Sequence, residues 1–332
     1  MRLADIFGWA RTGSRRAFHH HATALAAAPW YADPFLNSAV NSLCNDGFVV
    51  IRDSLSTEVL DQALSAYEKA KVEVLSKFTP RLNNEAYEAG KFRRLVNLHS
   101  AVPELAGLFA FNKALPVLQV LFQQEPTLYT SLFFEIGSGQ ALHRDTPYFW
   151  TTPGLNYFGV WVALEDIDPS NGPLIAVPQS HLLPDTIERR ASIGQRERER
   201  AGSIAADSPS VWSNYQAAVF EQSKEAGLEP IEFHVKRGDT IIWHPQTLHG
   251  GAKVLDTTRS RKSVAMHVTP AHTRVVHQDY FFDPSREFDG IDACDYWVLN
   301  SAQIRQHMTV SLAHQIDIDI QEFRRYQNKR TK

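Results

Sequence analysis

Apolar side chains recur at three- and four-residue intervals in the first third of the chain, and at intervals of two beyond residue 127. Behind the cap-like Ser56-Thr57-Glu58, residues 56 to 77 carry Val59, Leu60, Leu64, Tyr67 and Val72 at helical spacing. The same period predicts a second helix over Pro103 to Phe122, through Leu105, Leu108, Phe109, Leu115, Leu118 and Leu121. Strands are then expected at Leu128 to Ile136, Ala141 to Asp145, Tyr157 to Leu164, Leu174 to Pro178, Ile231 to Val235, Thr240 to Trp243 and Lys262 to Thr269. Many short strands punctuated by Gly, Pro and Asn predict a mainly β fold with flanking helices, built on a double-stranded β-helix, the jelly-roll or cupin-like arrangement.

The pattern stops between Leu182 and Pro230, where Glu188 to Arg200 sets Arg189, Arg190, Arg196, Arg198 and Arg200 against Glu188, Glu197 and Glu199. A solvated helix is the plain expectation, and a lid over a site is the functional alternative. The expected organisation is an arm at 1–30 followed by a single domain over 31–332. Within that domain come a helical support at about 31–125, a jelly-roll core at about 126–270 with an insertion at 182–230, and a C-terminal extension at 271–332.

Composition narrows the class. A hydrophobic share of 43% in 332 residues can fill a core without covalent staples. A formal charge of −3 offers no basic field for nucleic acid, and no apolar run is long enough to span a bilayer. Only Cys44 and Cys294 occur, which points to a reducing, cytoplasmic setting. The N-terminal Arg2, Arg11, Arg15 and Arg16 with the Ala-rich stretch from Ala22 to Ala28 vaguely resemble a targeting peptide, but Asp5 and His19-His20-His21 interrupt any apolar centre.

The chemistry concentrates in His143-Arg144-Asp145. In extended chain, i and i+2 share a face, so His143 and Asp145 converge while Arg144 turns away. Two imidazoles and one carboxylate can bind a divalent metal on one face and leave the other open. His249, beside Gly250 and Gly251 after the apolar run from Thr240, is the candidate third ligand; His244, five residues earlier, falls on the opposite face. The residues alone leave open a Zn(II) hydrolase, or histidine and aspartate satisfied by ordinary hydrogen bonds.

Four ordered segments resemble one family. Asn45-Asp46-Gly47-Phe48-Val49-Val50-Ile51, Gly139 to Tyr148, Val160 to His181 with its Asn171-Gly172-Pro173-Leu174 turn, and Gly238 to His267 are similar to the phytanoyl-CoA dioxygenase family of Fe(II)/2-oxoglutarate oxygenases, over roughly residues 40 to 270. Gln179 departs from the family's usual glycine. The resemblance implies Fe(II) held by His143, Asp145 and His249, with 2-oxoglutarate and O2 as co-substrates, and hydroxylation of a small-molecule substrate accompanied by succinate and CO2. Desaturation, cyclisation or epimerisation are alternative outcomes, and a catalytically inactive jelly-roll binding protein is the alternative class. The Asp145 carboxylate argues against the halogenating relatives, which replace it with a small residue.

The same resemblance implies that an arginine past the distal histidine grips the co-substrate's far carboxylate. Arg261 is preferred over Arg259, because it leads an arginine-headed strand and has Ser263 on the same face. Trp161 stands where relatives carry an aromatic beside the co-substrate. Gly251 stands where they often carry a co-substrate-binding serine. Candidate substrate contacts are Arg93, Arg94, Tyr148 and Phe149.

Overall fold

Helix α1 (Pro34–Asp46) begins where the Asp33 carboxylate accepts the N–H groups of Phe35 and Leu36, and ends where Gly47 adopts φ +84°. A Cβ at Gly47 would lie 2.5 Å from both His181 Nδ1 and Thr247 Oγ1, so glycine serves the turn and the close approach together. The computed structural model describes residues 32–152, 154–286 and 294–328; the expected arm at 1–30, with its histidine run, lies outside the described residues. Helix α2 (Thr57–Glu73) is capped by Ser56, whose side chain accepts the Val59 N–H.

The helix expected over Pro103 to Phe122 is broken. Pro103–Ala110 and α3 (Ala114–Phe122) meet at 70°. Asn112 causes the break: its Oδ1 accepts the Ala114 N–H at 2.8 Å, while its Nδ2 donates to Leu108 O at 3.1 Å and to Thr240 Oγ1 at 2.8 Å. A short amide that bonds the neighbouring main chain competes with the helix ladder. No single helix among the described residues is long and apolar enough to cross a membrane.

The strands of the two main sheets, in chain order, are β1 (Phe48–Ile51), β2 (Leu95–Val96), β3 (Pro126–Phe134), β4 (Phe158–Ala163), β5 (Leu174–Ala176), β6 (Ile231–Glu232), β7 (Thr240–Trp243), β8 (His249–Gly251), β9 (Ser263–Pro270), β10 (Asp295–Leu299), β11 (Ala302–Gln306), β12 (Thr309–Leu312) and β13 (Ile316–Asp319). The large sheet runs β1-β7-β4-β9-β3-β2-β12-β13, with β11 parallel to β3 and β10 beyond it. The small sheet is β8-β5-β6. Alternation sorts the large sheet's side chains: Phe134, Trp161, Ala163, Ile241, Trp243 and Ala265 meet Leu174 and Ala176 of the small sheet. Val160, Val162, Ile242, Val264, Met266 and Val268 face the other way, into the core shared with the helices. Two facing sheets filled this way form the expected jelly roll.

The C-terminal segment adds strands that the sequence reading had not singled out, although Ala302 and Ile304, Val310 and Leu312, and Ile316 and Ile318 are each two residues apart, and all six are buried. The segment between β5 and β6 forms α4 (Ile187–Ala201), the expected charged helix, and α5 (Pro209–Glu225). Val211, Tyr215 and Val219 of α5 pack with Val177, Leu248, Phe281 and Phe282.

Candidate metal centre

The segment expected as a strand, Ala141 to Asp145, is not one. Its ladder is a single bridge, in which His143 N–H donates to His249 O at 2.9 Å and His249 N–H donates to His143 O at 3.0 Å. Gly139, at φ +56°, precedes it, and a turn follows at once, the Tyr148 and Phe149 N–H groups donating to Asp145 O at 2.9 and 3.2 Å. The bridged stretch nevertheless keeps the i, i+2 relation. Arg144 turns away and is fully buried, donating from Nε to Gln246 O and from Nη2 to Ser180 O, both at 2.7 Å. The remaining edge is met by α5: the Arg144 N–H donates to Gln216 Oε1 at 2.8 Å, and Gln216 Nε2 donates to Arg144 O at 2.9 Å.

One ligand atom each from His143, Asp145 and His249 lies within 4.8 Å of the others, all three residues being buried. Nε2 of His143 is 3.3 Å from Asp145 Oδ1, and Nε2 of His249 is 3.2 Å from Asp145 Oδ2. An ion with donors at about 2.1 Å in a facial arrangement sets neighbouring donors roughly 3 Å apart, so the spacing fits. The imidazoles are also in the right tautomer. Nδ1 of His143 lies 2.7 Å from Ala141 O and Nδ1 of His249 lies 3.0 Å from Thr247 O. A carbonyl only accepts, so each Nδ1 carries the proton and each Nε2 presents a lone pair. Burial pushes the Asp145 carboxyl up, but the surrounding His249, His267 and His143 outweigh it and leave Asp145 well below the usual carboxylate range. His267 Nε2 donates to Asp145 Oδ2 at 2.9 Å, a contact that sequence reasoning missed.

Arg261 is 3% exposed. Its Nη1 donates to Ser263 Oγ at 2.7 Å, its Nε has no hydrogen-bond partner among the described residues, and its guanidinium lies 5.6 Å from the rings of both Phe134 and Trp161. Burial lowers its pKa to about 10, against a smaller opposing effect of Glu165, whose oxygens are taken by Ser260 and the Lys262 N–H. A buried guanidinium with an orphaned donor suits a ligand carboxylate. Arg259 instead pairs with Asp168 at 2.7 Å on the surface. At Gly251 a Cβ would come 2.5 Å from Ser138 Oγ, so a hydroxyl from the preceding loop occupies the space a side chain there would need.

The model of the phytanoyl-CoA dioxygenase (PhyH) family matches residues 43–263. The chain belongs to that family. Phytanoyl-CoA dioxygenase domain-containing protein 1 of Bos taurus is 25% identical over 201 residues, 57% of this chain and 61% of that protein. The peroxisomal phytanoyl-CoA dioxygenase of Homo sapiens is 25% identical over 136 residues, 40% of this chain and 34% of that one. The chain thus spans less than two thirds of the length of these curated relatives. Among solved structures, the epimerase SnoN in complex with Fe3+, alpha ketoglutarate and nogalamycin RO superposes with TM-score 0.54 at 18% identity, covering 78% of this chain and 92% of that one. The alpha ketoglutarate dependent carbocyclase SnoK gives TM-score 0.51 at 17% identity, covering 73% and 86%. At such identities the likeness is one of fold.

Around the centre of this phytanoyl-CoA dioxygenase family member, the aromatic side chains after Asp145 part company. Phe149 stacks on His267 at 3.7 Å and 16°, and Tyr148 lies 4.4 Å from Trp212 of α5, whose ring is 5.8 Å from that of His143. Trp150 turns to Phe281, while Tyr157 and Phe158 are buried. Arg94 is half-buried; Arg93 pairs with Glu88 on the surface. His244, expected on the face opposite His249, is buried beside His181 and Phe158. Trp212 and Gln216 were missed because they reach the site from a helix whose own spacing marks only an amphipathic face.

Proposed function

We propose that the chain is an Fe(II)- and 2-oxoglutarate-dependent oxygenase that hydroxylates an unactivated C–H bond of a small metabolite. What carries this is the pairing of two features on one side of the jelly roll: Nε2 atoms 3.2 to 3.3 Å from a shared carboxylate, and a buried guanidinium with an orphaned donor. His143, Asp145 and His249 hold the ion on one face. Arg261, steadied by Ser263 and lying over Trp161, takes the far carboxylate of 2-oxoglutarate through parallel hydrogen bonds. When bound, iron and 2-oxoglutarate supply the oxidising chemistry, in which 2-oxoglutarate and O2 yield succinate, CO2 and an oxidised substrate.

The chain's own part is to orient and to exclude water. Trp212 lies beside His143 with Tyr148 next to it, Phe149 stacks on His267, and the half-buried Arg94 is the candidate partner for an anionic group on the substrate; Arg93 is ion-paired with Glu88. The carbocyclase and epimerase that share the fold keep ring closure and epimerisation as branches of the same chemistry, decided by which substrate C–H faces the metal.

Anaerobic addition of Fe(II) and 2-oxoglutarate is expected to produce the weak visible charge-transfer band of the chelate, lost in His249→Ala and retained in His244→Ala. Screening metabolites for stimulated succinate release then finds the substrate. A wild-type protein without the band is not this oxygenase: binding of Zn(II) with hydrolysis of an ester would mark a hydrolase, and no turnover of any kind would mark an inactive binding protein.

A further inference from the structure

The main chain between the two ligands of the His-x-Asp segment has a strand on only one edge. His143 faces β8 through its paired hydrogen bonds, and in an extended chain the N–H and C=O of Arg144 point the other way. No strand among the described residues lies there, and Arg144 is fully buried. Leaving both groups unmet would cost roughly 1–3 kcal/mol apiece. A side-chain amide is the one common group that offers a donor and an acceptor in the plane of a peptide bond. Gln216, 8% exposed, supplies it: Oε1 accepts from Arg144 N–H at 2.8 Å and Nε2 donates to Arg144 O at 2.9 Å.

The helix that carries Gln216 is itself anchored. Val211, Tyr215 and Val219 pack into the buried cluster with Leu248 and Phe282, and Tyr215 donates its hydroxyl hydrogen to Asp185 at 3.0 Å. One turn before Gln216, on the same face, Trp212 stands against His143. On the far side of the segment, the Arg144 side chain holds the Gln246 and Ser180 carbonyls. The residue between the ligands is therefore fastened through its main chain by α5 and through its side chain by the loops before β8 and after β5.

We propose that Gln216 is a positioning residue for the metal centre: its amide replaces a missing strand on the open edge of the segment and fixes the separation of His143 and Asp145. This makes α5 a fixed wall of the site rather than a swinging lid, and couples the 182–230 insertion to metal affinity. The proposal rests on the reading of His143, Asp145 and His249 as metal ligands.

The test uses Co(II) as the probe, with affinity read by calorimetry and ligand geometry by the visible absorption bands of the bound ion. Gln216→Met keeps the volume and removes the amide; Gln216→Glu keeps an acceptor for the Arg144 N–H but sets an oxygen against the Arg144 carbonyl. Asn214→Ala, an exposed change on the same helix, is the control. Both Gln216 variants are expected to bind Co(II) roughly 10- to 100-fold more weakly, with altered band positions, while Asn214→Ala binds as wild type. Hydrogen exchange of peptides covering 142–149 should quicken in Gln216→Met before any Co(II) is added. Wild-type affinity and bands in Gln216→Met, or equal losses in Asn214→Ala, overturn the positioning role while leaving the metal reading intact. A wild-type protein that binds no Co(II) overturns both.

Discussion

Acidification from pH 7 to pH 5 is expected to remove about 4 kcal/mol of folding stability through two buried imidazoles. His99 is 1% exposed, between Ser131 Oγ at 2.7 Å and Arg305 O at 3.1 Å, and burial with the neighbouring His307 holds it down to about 3 from its ordinary 6.5. His181, bonded to Cys44 O at 3.0 Å, is held down by burial to about 4. Because the folded values are depressed, the unfolded chain binds more protons below pH 6.5. Stability therefore falls as pH drops through 6.5, and goes on falling until the folded values are reached. At pH 5 each site is protonated in the unfolded chain and neutral in the folded one, a difference of about 2 kcal/mol per site. His244 is shifted the same way by burial and by His181, so it steepens the loss. Asp145 does not contribute in this window, since a depressed carboxylate loses its stabilising effect only below about 4. Urea unfolding at pH 7, 6 and 5, with the slope on denaturant checked for constancy, measures the loss. His99→Gln should remove close to half of the pH dependence that His99 and His181 account for together. A wild-type midpoint flat across these pH values, or a variant with the full wild-type slope, would refute the burial of neutral imidazole.

Three further outcomes follow from the site. Replacing Arg261 with glutamine should raise the 2-oxoglutarate requirement at least tenfold, while Arg259→Gln, which breaks only a surface pair with Asp168, should leave it within about twofold; equal effects in a coupled succinate assay count against Arg261. His267→Leu removes a buried bond to the Asp145 carboxylate and should weaken Co(II) binding by about 1.5–3 kcal/mol, read by calorimetry; unchanged affinity would show that Asp145 needs no such support. Gly159→Ala puts a Cβ 1.9 Å from the Trp243 ring, which lies 4.7 Å from His249, so a loss of about 1–3 kcal/mol in thermal unfolding and a weaker metal site are expected together. An alanine variant as stable as wild type would mean that the indole moves freely.

Local pattern was enough for most of the barrel, because alternation along β4, β7 and β9 is a direct imprint of one face turned to the small sheet and the other to the helices. The His-x-Asp spacing likewise carried its own geometry, and the preference for Arg261 over Arg259, drawn from the family resemblance and from Ser263, meets a buried guanidinium in one case and a surface ion pair in the other. Errors arose where a side chain displaced a main-chain ladder. Asn112 ended a helix whose apolar period ran on unbroken, and Gln216 stood in for a strand beside Arg144, which no periodicity encodes.

By itself, the sequence determined the jelly-roll class and the family and offered His143, Asp145 and His249 as candidate ligands, since strand alternation, the four ordered segments and the His-x-Asp spacing are each written locally in the chain. Only the tertiary structure decided what holds those residues in place: the carbonyls that fix each imidazole's tautomer, His267 on Asp145, Gln216 and Trp212 brought in by α5, and Ser138 against Gly251. Such partners lie far apart in the chain, and their meeting follows from how the sheets and helices pack. A hydrogen bond is satisfied by whatever donor or acceptor arrives, so the sequence constrains its presence far more tightly than the identity of the residue that supplies it.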